Sequence, residues 1–137
     1  MTETLHLHLP PENDSVTTLL DALEAYTDAQ DLPIKAASRL MLLADELAAN
    51  VVMHARGATF FTAEVSREAA LLRFTLTDDG PEYDPLKRGA ANTHGSVEER
   101  DIGGLGVHFV EKLAATADYR RADGRNILSI TLDAGAD

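Results

Sequence analysis

Cysteine is absent from this chain. No disulfide and no thiolate metal site can form, and an intracellular, cytoplasmic protein is the expectation. Long apolar runs are missing as well. None approaches the roughly 20 residues that a membrane-spanning helix needs. The opening MTETLHLHLP alternates apolar and polar residues and lacks the basic head and apolar centre of a secretion signal. Basic side chains are scarce: 12 Lys and Arg stand against 23 Asp and Glu, for a net charge of −11. So acidic a surface repels phosphate backbones. It argues against direct nucleic-acid binding and leaves room for a basic protein partner. No repeat or linker interrupts the 137 residues, so one domain over 1–137 with a single core is expected.

The patterns that are present come in a definite order. Residues 4–9, TLHLHL, alternate with period two and predict a strand with His6 and His8 on its solvent face. PPEND breaks that strand, and Asn13, Asp14 or Ser15 is suited to cap a helix. Val16, Leu19, Leu20, Leu23 and Tyr26 then recur at helical spacing to about residue 29. Pro33 fits the first turn of a second helix, whose stripe is Ala36, Leu40, Leu43, Leu47 and Val51 and which ends near Gly57. Two strands over 58–66 and 70–77 follow, turning around Arg67–Glu68. After the turn-rich DDGPEYDP, residues 86–103 show no apolar period and predict a long loop. A third helix runs from GGLG through Val107, Val110, Leu113 and Ala114, and strands over 117–121 and 126–132 flank an ADGRN turn. The order β-α-α-β-β-loop-α-β-β predicts an α/β fold. It is a two-layer sandwich, with a mixed, mostly antiparallel sheet covered by helices on one face.

Three constellations carry chemistry, and each has a plain structural alternative. In ADELAANVVMHA, Glu46 and Asn50 stand four residues apart, about 40° and about 6 Å on a helix. The pair is either a solvent-exposed helix edge or a carboxylate and an amide aimed at one ligand. An amide oxygen can complete the shell of a Mg ion, and a carboxylate can take a proton from a hydroxyl. In DDGPEYDP, Asp78 and Gly80 either end a strand or offer a fixed acceptor beside a backbone that a base can approach closely. In DIGGLGVHFVEKLA, Gly103, Gly104 and Gly106 form a hinge and cap, or an anion site at a helix N-terminus. The spacing is not that of a P-loop, which needs Lys-Ser or Lys-Thr after its glycines. His54 lies one turn past Asn50, where packing or capping is the simpler role, and His94 and His108 receive none.

Together, in this order, ELAANVVMHA, DDGPEYDP and GGLGVHFVEKLA resemble the N, G1 and G2 boxes of the GHKL (histidine kinase-like) ATPase superfamily. The HA and YDP endings and the tail DYRRADGRNILSITL are most similar to its anti-sigma-factor serine/threonine kinase branch, the RsbW/SpoIIAB-like proteins. The resemblance implies a sandwich of the GHKL ATPase type with ATP and Mg as cofactors. It makes Glu46 the general base and Asn50 the Mg ligand. Asp78, with Gly80 beside it, would hold the adenine amine. Gly103, Gly104, Leu105 and Gly106 would wrap the phosphates. Loop 86–103 becomes the ATP lid, from which Arg88 or Arg100 reaches phosphate, and Thr131 adds a hydroxyl near adenine. The acidic run Glu98, Glu99 and Asp101 departs from what a phosphate lid favours unless it faces outward.

The implied function is a protein-serine kinase in a partner-switching circuit. It would phosphorylate a STAS-type anti-sigma antagonist, sequester a sigma factor and form a homodimer, with no membrane or nucleic-acid partner. The alternative is a regulator-binding module that uses ATP only structurally or not at all.

Overall fold

The computed structural model describes residues 4–54, 57–86, 110 and 112–134. Strand β1 (Thr4–Leu9) leads into helices α1 (Asn13–Ala29) and α2 (Ile34–His54), and the hairpins β2 (Phe61–Glu68)–β3 (Leu71–Asp78) and β4 (Thr116–Ala122)–β5 (Arg125–Asp133) follow. The five strands form one sheet in the order β1-β2-β3-β5-β4, and every pairing is antiparallel. The expected two-layer α/β sandwich is therefore the fold, and its described sheet is antiparallel rather than mixed. Most of the predicted third helix lies outside the described residues. Val110 is buried, and the Ala114 N–H donates to the Val110 carbonyl at 3.0 Å, a helical bond at that segment's end.

Alternation along the strands sorts the two faces of the sheet. Phe61, Ala63 and Val65, Leu72, Phe74 and Leu76, and Leu128, Ile130 and Leu132 are buried with Leu19, Leu23, Leu40, Leu43 and Leu47 of the helices. Slipping any strand by one residue would turn its apolar set to water, which fixes the register. The opposite face carries polar pairs such as Thr75 with Ser129, whose hydroxyls lie 2.8 Å apart. His8 is on that face as expected, stacked on Phe60 with ring centroids 4.8 Å apart. No helix among the described residues is long and apolar enough to cross a membrane.

Several local expectations shift. Glu12, not Asn13–Ser15, sits at the N-cap of α1, and it makes no side-chain cap bond. Asp14 instead places its charge in the first turn, where the helix dipole favours an anion. The C-terminus of α1 closes with Asp31 at φ 51°, its N–H on the Asp28 carbonyl and that of Leu32 on Thr27. This is the paired-bond stop that usually uses glycine. α1 has no basic residue in its last turn, and Arg67 of β2 supplies that charge by donating to the Gln30 carbonyl at 2.7 Å. Arg67 and Glu68 remain in the ladder, opposite Leu72 and Leu71, so the β2–β3 turn is Ala69–Ala70.

Asp79 ties the end of β3 to the start of β2. Its carboxylate accepts from the Thr59 N–H at 2.7 Å, the Thr59 hydroxyl at 2.6 Å and the Phe60 N–H at 3.2 Å. The Thr59 side-chain bond is the main reason its carboxyl sits below the ordinary carboxylate value. A lowered folded value means stabilisation present above the unfolded value and lost as pH falls through the folded one. Asp79→Ala is therefore expected to lower the thermal midpoint at neutral pH. In unfolding scans against pH, its deficit relative to wild type should close in acid.

Candidate functional site

A pocket opens between the C-terminal half of α2 and the sheet. Helix residues Leu47, Asn50, Val51 and His54 form one wall, and Leu76, Asp78, Tyr119, Asn126 and Leu128 form the other. Pro81, Tyr83 and Pro85 of the turn after β3 close one end. The space between these walls is about 430 Å³, counting the part open to solvent. The walls are apolar except for a few polar groups, which decide what can bind.

Register brings the polar groups together. Asp78 pairs with Phe61 on one side and Asn126 on the other, and all three side chains take the buried face. Asp78 is 7% exposed and Asn126 6%. Asp78 Oδ1 accepts from the Gly80 N–H at 2.9 Å and from Asn126 Nδ2 at 3.0 Å. The second hydrogen of Asn126 Nδ2 goes to the Pro81 carbonyl at 2.8 Å. Asn126 Oδ1 accepts from the Tyr83 N–H at 3.1 Å, the Tyr119 hydroxyl at 2.6 Å and Arg121 at 3.2 Å. Arg121 also donates to the Gly80 carbonyl at 2.7 Å, so β4 braces the Asp-Gly turn across β5. Burial pushes the Tyr119 phenol up, which keeps its proton in place as a donor.

On the helix side, Asn50 is 7% exposed and lines the pocket, and its Nδ2 has no hydrogen-bond partner among the described residues. Leaving such a group unsatisfied costs about 1–3 kcal/mol, so this amide fits a role toward a bound ligand. No cluster of three or more His, Asp or Glu able to hold a metal occurs among the described residues. The unpartnered Nδ2 fits an acceptor on a bound ligand, while a Mg ion here would take the Asn50 amide oxygen and, for the rest, phosphate oxygens and water. His54 packs face to face on Tyr83, with ring centroids 4.6 Å apart, in the packing role expected of it.

Glu46 lies one turn before Asn50 and outside the pocket lining. Burial, and next the charge of Asp45, raise its carboxyl above the ordinary value. That direction suits a group that must take up a proton.

The structure thus brings Asn50, Asp78 and Gly80 to one place. Thr131 is not among them. It falls on the opposite face of β5 from Asn126 and Leu128, where its hydroxyl meets that of Thr116 at 2.6 Å. The strand alternates, and an odd-numbered position cannot share the pocket face with 126 and 128. Arg88, Arg100, Gly103, Gly104, Leu105 and Gly106 lie outside the described residues, as do His94, His108 and all of the expected lid except Leu86. Asn126, Tyr119 and Arg121 were not anticipated. The available signal was an amide two places after the hairpin glycine, which is informative only once β5 is known to pair with β3.

An antiparallel five-stranded sheet backed by α1 and α2, with a largely apolar pocket holding a few polar groups between the layers, matches the fold of the GHKL ATPases. The sequence profile of the histidine kinase-like ATPase domain matches residues 9–132, and the chain belongs to that family. It is 30% identical over 97 residues to the serine/threonine-protein kinase BtrW of Bordetella bronchiseptica, covering 67% of each protein. Its fold is similar to a chain in the SiaB–SiaC complex from Pseudomonas aeruginosa, with TM-score 0.64 and 16% identity over 93% of this chain and 88% of that one. It is equally similar, at TM-score 0.64 and 15% identity, to the structure of the RsbU and RsbW domains of Rv1364c from Mycobacterium tuberculosis. That alignment takes in 96% of this chain, which spans only 32% of the tuberculosis one.

Because the folded value of Glu46 is raised, its ionised form costs stability above that value, and the cost vanishes as pH falls below the unfolded one. Glu46→Gln should accordingly raise the thermal midpoint at neutral pH. The gain should disappear in acid, as scans of both proteins across pH would show.

Proposed function

We propose that this chain is an ATP-dependent protein-serine kinase of a partner-switching system. It phosphorylates a STAS-type anti-sigma antagonist and sequesters a sigma factor. The single observation that carries the proposal is the pairing of a fixed carboxylate, Asp78, with a buried and incompletely bonded amide, Asn50, across one pocket. Membership of the histidine kinase-like ATPase family and the likeness to a protein named serine/threonine kinase support it.

In this proposal Asp78 accepts the exocyclic amine of adenine, and the apolar side chains of Leu47, Leu76 and Leu128 flank the base. Asn50 would hold a Mg ion through its amide oxygen, and that ion would supply charge neutralisation on the phosphates. Glu46, outside the base pocket and one helical turn nearer the N-terminus of α2, takes the proton from the attacking serine hydroxyl. Its raised proton affinity serves that step. By the sequence resemblance, Gly103, Gly104, Leu105 and Gly106 would receive the phosphates, and Arg88 or Arg100 would add positive charge toward them. Transfer of this kind needs mainly positioning and charge neutralisation, so a small set of groups suffices.

Two substitutions separate the roles. Asn50→Ala should remove the Mg dependence of ATP binding in equilibrium titrations. Glu46→Gln should leave binding intact and lower serine phosphorylation of a purified STAS-domain protein by about a hundredfold or more. Phosphorylation at the wild-type rate by Glu46→Gln would remove the base from this proposal. Wild-type ATP binding with no transfer to any STAS-domain protein would leave a binding module.

A further inference from the structure

The geometry points to Asn126 as the residue that makes this pocket select a base carrying an exocyclic amine over one carrying a carbonyl. The inference rests on the nucleotide-binding function proposed above.

Every hydrogen-bonding capacity of the Asn126 amide is committed. Its two N–H groups go to Asp78 Oδ1 at 3.0 Å and to the Pro81 carbonyl at 2.8 Å. Its oxygen meets three donors: the Tyr83 N–H, the Tyr119 hydroxyl and Arg121. Turning the amide over would set a nitrogen against three donors and an oxygen against two acceptors. The network therefore fixes its orientation.

That orientation determines what Asp78 can offer. Oδ1 already accepts from Gly80 and Asn126, and no described residue donates to Oδ2. The group Asp78 presents to a ligand is thus an acceptor, and the Asn126 amide has no spare donor to set beside it. A 6-amino purine donates to this acceptor. A 6-oxo purine sets oxygen against oxygen, and the amide has no free N–H to relieve it. A hydroxyl in place of the amide would behave differently, because it rotates and can donate or accept as the ligand requires. Asn126 acts through Asp78 and is a positioning residue. Tyr119 and Arg121, reaching over from the edge strand, hold it in turn.

The test uses ATP and ITP, whose bases differ in the group on C6 and in the proton that the 6-oxo form carries on N1. Each is titrated with Mg against a fluorescent ATP analogue on the full chain, with thermal midpoints measured alongside. Wild type should prefer ATP by roughly a hundredfold or more. Asn126→Ser should narrow that ratio by about tenfold, the size of one charge-assisted bond. Tyr119→Phe, which keeps the amide and removes one of its three donors, should narrow it less and in the same direction. If Asn126→Ser does not fold, the Tyr119→Phe ratio decides. Unchanged ratios in folded variants that still bind ATP would overturn the role of Asn126 and leave the nucleotide site standing. A wild type that binds neither nucleotide would overturn both.

Discussion

One side-chain amide touches β3, β4 and the turn after β3 at once. Asn126 donates to Asp78 and Pro81 and accepts from Tyr83, Tyr119 and Arg121. Each partner is half-buried or better, apart from the exposed Pro81 and Arg121. In a low-dielectric wall such a network is rigid when every member is satisfied and costly when one is lost. The pocket inherits that rigidity. Asp78 faces the pocket, with one oxygen held by Asn126 and Gly80 and no described donor on the other.

The rest of the fold supplies the conditions for this contact. Phe61, Asp78 and Asn126 lie in one cross-strand row, and the apolar rows behind it lock the register against α1 and α2. The adjacent carboxylates at the end of β3 divide the work. Asp78 turns to the pocket, and Asp79 turns away to hold Thr59 and Phe60 at the start of β2. Opposite them, α2 brings Asn50 and His54 to the same pocket. The stacking of His54 on Tyr83 joins the end of the first sequence box to the end of the second.

Much of this was legible in the sequence, because it rests on local periodicity. The strand and helix positions follow from spacings of two and of three to four, and Asn50 and Asp78 stood out as polar residues at odds with their apolar surroundings. The errors fall where contacts are nonlocal or chemically unmarked. The β2–β3 turn uses Ala69 at φ 53°, without the Asn-Gly or Asp-Gly signal that marks such turns, whereas Asp123–Gly124 carries it and was recognised. The family resemblance implies a Thr131 hydroxyl near adenine. Its position in β5, five residues from Asn126, puts it on the other face. Asn126 itself looked like a turn residue. Only the pairing of β5 with β3, across a separation of 48 residues, places it against Asp78.

The central claim is that Asp78 is the acceptor on which a nucleotide base docks. Calorimetric titration of ATP into wild type and Asp78→Asn tests it most directly, since the substitution keeps the shape and turns part of the acceptor into a donor. The account predicts saturable binding by wild type and its loss in a folded Asp78→Asn. Equal binding by both, or none by a folded wild type, would contradict it.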